Sequence, residues 1–195
     1  MKKVLFVFGL LLTLGMFCAC SSDDGDNATD DSFGGDSEGT EIVLNPIEEG
    51  DGLDAITDFF RKEFGKDEDE KPFDFKNNLS NEENPCIAIN NEEDFKEAYT
   101  GDFNLPAIDF SKYTLIIGKI YLSAGKFIDN MSIKQTNPAK TTLYINCIID
   151  TTPGGGYIGI MYWGYYWKLF PKFNASKINV EINSEYGEVD NSKKR

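Results

Sequence analysis

Between Thr114 and Asn183, five runs with strand character lie end to end, and this succession constrains the fold more than any other feature. Thr114–Leu122 is apolar almost throughout, as in a strand covered on both faces. Asn130–Gln135 alternates, with Met131 and Ile133 inward. Thr141–Ile149 places Leu143, Ile145, Cys147 and Ile149 on one face. Tyr157–Phe170 is long and aromatic, and Lys177–Asn183 alternates with Ile178, Val180 and Ile182 inward. Glycine, proline or asparagine turns separate the runs at Ala124-Gly125, Asn137-Pro138, Pro153–Gly156 and Phe173-Asn174. Upstream, Cys86–Ile89 reads as a short strand. Asn91–Asp94 then opens a helix whose acids suit the positive end of its dipole, with Phe95, Ala98 and Tyr99 as the buried stripe. Gly52–Gly65 predicts a second short helix, with Leu53, Ile56, Phe59 or Phe60, and Phe64 at three- and four-residue steps. Asp51 or Asp54 suits its start and Gly65 its C-terminal cap. Few helices followed by consecutive strands predict an α+β fold. The expected sheet is largely antiparallel, of about five to six strands, with one or two short helices.

The aromatic run carries the best binding candidates. On a strand, Tyr162 and Tyr166 share one face, while Trp163, Tyr165 and Trp167 share the other. With Tyr157, the second set would form a platform for a protein partner or a sugar ring if it were exposed. The competing reading is a core with aromatics on both sides. Thr151–Gly156 resembles a phosphate cradle only in its glycines, and is expected to be a hairpin connection.

Catalysis and metal binding find little support. The chain has no histidine, which excludes Ser-His-Asp and Cys-His catalysis and histidine-ligated metals. Asp109, Asp129 and Asp150 fall near strand ends without a spacing that pairs them. The consecutive acids Asp67–Glu70 lack the alternation of a calcium loop. No enzyme activity, catalytic residue, metal or cofactor is expected.

The N-terminus reads as an address. Lys2 and Lys3 precede an apolar stretch, Val4–Met16, too short to span a membrane. Ala19-Cys20 follows, and this resembles the lipobox of bacterial lipoproteins, in which the cysteine is diacylated and becomes the first residue. Ser21–Asp26 looks like the acidic export signal behind the lipid of Bacteroidetes surface lipoproteins. The resemblance implies lipidation at Cys20, a membrane contact through that anchor, and display on the outer face of the outer membrane. Residues 20–52 carry 11 acids and no base, so they are expected to form a disordered, self-repelling tether. Within it, Thr40–Pro46 is apolar enough to dock as an edge strand. The expected organisation is a signal peptide over 1–19, the tether over 20–52, a short helix and acidic connector over 53–70, a globular domain over 71–185, and a tail over 186–195.

The chain's charge of −14 argues against nucleic acid as a partner. Most of it belongs to the tether, since residues 71–185 carry 13 acids against 11 bases. Cys86 and Cys147 remain after processing, and an oxidising compartment allows a disulfide between them. Two buried thiols are the alternative. Asp150-Thr151-Thr152 fits the short pattern of Bacteroidetes O-glycosylation, which makes Thr151 a candidate modification site.

Residues 86–182 also resemble the C-terminal domain of protease-complex-associated lipoproteins. The similarity runs through Cys86–Tyr99, Leu105–Lys112 with its Pro106 and Asp109-Phe110, the Thr114–Gly118 strand, Gly125 with Phe127, and Lys168–Lys172. It implies a non-catalytic module that associates with or regulates a cell-envelope protease.

Overall fold

The computed structural model describes residues 40–48, 50, 52–65, 72–151 and 161–188. All lie within one compact unit, Ser37–Arg195. In chain order its elements are β1 (Ile42–Leu44), α1 (Asp54–Phe64), β2 (Cys86–Ile89), α2 (Glu92–Ala98), β3 (Tyr113–Ser123), β4 (Lys126–Asn137), β5 (Lys140–Asp150), β6 (Met161–Pro171) and β7 (Ile178–Gly187).

The fold is mostly sheet with two short helices, but the expected single sheet is corrected. Among the described residues seven strands form two sheets, ordered β1-β4-β5-β7 and β2-β3-β6. The pairing is largely antiparallel, and β7 lies parallel to β5, from Thr141↔Ile178 to Asp150↔Gly187. The reason lies in β3. Leu115, Ile116 and Ile117 are all fully buried, so this strand needs cover on both faces. It therefore lies between β2 and β6 and hands the chain to the other sheet at Ala124-Gly125, where Gly125 adopts φ +81°. β4 and β5 form a true hairpin, and β6 then returns to β3 along its whole length, Tyr113↔Pro171 to Ser123↔Met161.

Alternation along β3 and β6 creates two cores. Ile116, Ile120, Tyr166 and Phe170 meet Met131, Ile133, Leu143 and Ile145 of the other sheet. Leu115, Ile117 and Leu169 face the opposite way, onto Ile56, Phe59 and Phe60 of α1 and Phe95 of α2. The helix, expected to lie ahead of the globular domain, is thus packed into the core. β1 likewise pairs antiparallel with β4 as an edge strand, Ile42↔Gln135 to Leu44↔Ile133.

Local signals account for one helix start better than the other. Asn91 Oδ1 accepts the Asp94 N–H at 2.8 Å, and Asn91 Nδ2 donates to Asp94 Oδ2 at 2.7 Å, which caps α2. At α1 the cap position is Leu53, without a side-chain hydrogen bond, and Asp54 lies inside the first turn. Asp51 lies outside the described residues. Gly65 ends the helix at φ −89°, which is not the left-handed cap expected of it.

Candidate functional site

β6 divides its aromatics as its alternation requires. Tyr166 is buried between the sheets, with Tyr162 packed at the margin of the same core. Trp163, Tyr165 and Trp167 share the helix side, where the register sets them opposite Tyr121, Lys119 and Ile117. α1 covers only part of this row. Trp167 stacks on Phe60 at 4.4 Å between centroids and 17° between planes. Tyr165 stacks on Phe64 at 5.2 Å and 22°. These two candidates are therefore half-buried, because Phe60 and Phe64 reach back over β6.

Beyond Tyr165 the helix cover ends. Trp163 is 42% exposed and Tyr121 48% exposed. Their rings stand 5.2 Å apart at 49°, and Lys119 Nζ sits 4.6 Å from the Trp163 centroid. Facing them is the loop ahead of β2. Glu82, Glu83 and Asn84 line, with Tyr121 and Trp163, an open recess of about 510 Å³. Side chains fix the course of this loop. Asn78 Oδ1 accepts from the N–H groups of Ser80 and Cys86, at 3.0 and 2.8 Å. Asn81 Oδ1 accepts from Asn84 N–H at 2.8 Å, and Ser80 Oγ donates to the Asn84 carbonyl at 2.5 Å. Among the described residues, neither Glu82 nor Glu83 has a hydrogen-bonded or ionic partner. The recess thus offers two aromatic faces, two carboxylates and an amide.

Of the four aromatic candidates, one stays exposed on the described surface. Tyr157 lies outside the described residues, as do Cys20 and the Thr152–Gly156 loop. Tyr121, Lys119, Glu82, Glu83 and Asn84 were missed. Lys119 and Tyr121 carried a signal, since both interrupt the apolar run of β3 on the same face. The glutamates carried none, being in a loop without periodicity.

Of the two readings of the remaining thiols, the structure has the second: Cys86 and Cys147 are both free and buried. They belong to different sheets, and each lies against a tyrosine instead. Cys86, Gly118 and Tyr166 form one row across β2, β3 and β6. With no Cβ at Gly118, the Tyr166 ring lies across that position, and its hydroxyl ends beside the Cys86 thiol without a hydrogen bond of ordinary geometry. Burial pushes the Cys86 thiol up to about 12. Burial likewise raises Cys147, and burial followed by the neighbouring Cys86 raises Tyr166.

Of the aspartates near strand ends, Asp109 acts locally. Asp109 Oδ1 accepts from Ser111 N–H at 3.1 Å and Ser111 Oγ at 2.5 Å, and Oδ2 pairs with Lys112 Nζ at 2.9 Å. The Ser111 and Lys112 hydrogen bonds hold its carboxyl down at about 2. It organises the turn into β3. Thr151 is exposed at the end of β5, and its hydroxyl donates to the Gly187 carbonyl at 3.3 Å. Among the described residues, no three His, Cys, Asp or Glu side chains gather as a metal-holding group.

No protein-family model matches the chain, and no curated protein or solved structure matches it either.

Proposed function

We propose that this chain is a non-catalytic binding or scaffold module, anchored by lipid at Cys20 to the outer membrane and displayed on the cell surface. Its partner is a cell-envelope protein, a protease in the reading that the family resemblance supports. The Tyr121–Trp163 pair carries this proposal. Two large rings side by side in water, rimmed by charge, are typical of protein-binding hot spots. A photo-crosslinking residue placed at position 121 in intact cells tests it. The expected result is one specific envelope protein captured, with capture lost by Trp163→Ala. A hot-spot tryptophan is worth about 2 kcal/mol or more, or roughly thirtyfold in affinity. Absence of any specific adduct opposes the reading.

A second reading, glycan binding, is favoured by Glu82, Glu83 and Asn84 beside the rings. Carboxylate and amide groups complement sugar hydroxyls, and aromatic faces complement the ring's apolar side. A glycan array probed with the native chain and with Trp163→Ala separates the two, since only the glycan reading expects hits that the substitution abolishes.

A further inference from the structure

The outward face of the four-stranded sheet carries a second recess, which shares no lining residue with the aromatic pair's recess. It lies where the β4–β5 hairpin turn meets the start of β7, and encloses about 380 Å³. Lys134, Lys140 and Lys177 all line it, against one carboxylate, Glu41. That is three of the 11 bases of residues 71–185, gathered at one place in a chain of charge −14. Glu41 stands 3.6 Å from Lys134, while Lys140 and Lys177 have no carboxylate partner among the described residues.

The lysines rest on a fixed frame. Asn137 Oδ1 accepts from the N–H groups of Ala139 and Lys140, at 2.9 and 3.0 Å, and so shapes the turn. Ser176 N–H donates to the Pro138 carbonyl at 2.8 Å, which ties the approach to β7 onto that turn and places Lys177 on the same recess as Lys140. Between them the sheet register sets Lys134, Thr142 and Asn179 in one row across β4, β5 and β7. Asn179 Nδ2 donates to Glu181 Oε1 at 3.1 Å. Its amide oxygen and the Thr142 hydroxyl remain as groups for a ligand's hydroxyls. Tyr144, with Lys134 Nζ 5.6 Å from its centroid, closes one side.

We propose that this recess binds a phosphorylated saccharide. Like charges held together on a rigid frame repel until an anion enters, and a phosphate accepts from several ammonium groups at once. The recess is far larger than a phosphate ion, and hydroxyl and amide groups line the remainder, as a sugar requires. A membrane lipid headgroup and a free sugar phosphate share this chemistry.

The test uses the full chain carrying Cys20→Ser, so that no lipid anchor contributes. Glucose 6-phosphate and glucose are titrated by calorimetry. Vesicles of phosphatidylcholine doped with phosphorylated lipid A, or with its dephosphorylated form, are tested by co-sedimentation. Binding to glucose 6-phosphate but not glucose supports a site open to free sugar phosphates. Binding only to the phosphorylated vesicles supports the same site with a headgroup as its source. In either case Lys140→Gln with Lys177→Gln lowers affinity about tenfold or more, and added salt weakens it. Both lysines are unpaired, so the variant keeps its thermal midpoint, while Thr142→Val gives an independent loss without changing charge. Binding to neither phosphorylated probe, equal binding of glucose, or undiminished binding by the lysine variant overturns the proposal.

Discussion

Gly118→Ala should destabilise the protein sharply, through a residue on the other strand. A methyl group at Gly118 would stand 2.8 Å from Tyr166 Cε1, and nearer still to Cζ and the hydroxyl. No Cβ contact is tolerated so close, so the ring must move. It cannot move far, because Tyr166 is only 4% exposed and lies between two sheets with Cys86 at its tip. Overpacking of this kind costs about 1–3 kcal/mol, and driving the ring off its rotamer adds about 0.5–1.5 kcal/mol. Removing glycine from a strand returns about 0.5–1 kcal/mol. The net loss is therefore about 2 kcal/mol, or a midpoint lowered by roughly 4–8 °C for a domain of this size. Urea denaturation and calorimetry of the single variant, Tyr166→Leu, and the double variant read the effect. If the ring is the obstacle, Gly118→Ala costs little in the Tyr166→Leu background, and the coupling approaches the whole single-variant loss. A single-variant midpoint within about 2 °C of the parent, or the same loss in both backgrounds, would refute the reasoning.

Phe60→Ala should cost about 3–5 kcal/mol, because the fully buried ring stacks on Trp167, Phe73 and Phe95; a red shift in tryptophan emission would mark the newly wetted Trp167. Trp163→Ala, by contrast, should leave the denaturation midpoint nearly unchanged while abolishing capture at position 121, and a large loss of stability would contradict the ring's exposure. Iodoacetamide should leave Cys86 and Cys147 untouched in the native chain and label both once unfolded without reductant, as intact mass will show. Asp109 should titrate near 2. Its folded value lies below the ordinary one of about 3.9, so its turn contributes fully above that pH and loses its contribution as pH falls through about 2. A carboxyl carbon resonance with its midpoint near 4 would contradict this, and Asp109→Asn should remove that titration.

Much of the fold was legible because it depends on local periodicity. Ile178, Val180 and Ile182 turn toward the core while Asn179 and Glu181 turn out, as alternation requires. The nearly continuous apolar run of β3 announced a strand covered twice, and its buried Leu115, Ile116 and Ile117 occupy that position. Sheet membership was not legible, because Ala124-Gly125 reads as the same turn whether the next strand folds back or crosses over. The site was half legible for the same reason. Alternation correctly grouped Trp163, Tyr165 and Trp167 on one face. What covers that face depends on Phe60 and Phe64, about a hundred residues upstream, and no local pattern encodes that contact.

The exposed end of that face follows from element lengths. β3 and β6 have 11 residues each, so the paired strands extend about 36 Å. α1 also has 11 residues but spans only about 16 Å, and α2, with 7, about 10 Å. Even laid along the strands, such helices leave part of the sheet bare. A chain needing only stability would place polar residues on the bare part, as β7 does with Asn179, Glu181 and Asn183. Here Tyr121 and Trp163 occupy it instead, beside two glutamates without partners. Burying those rings would gain free energy that folding leaves unused, which is the physical argument for the proposed partner at this end of the sheet.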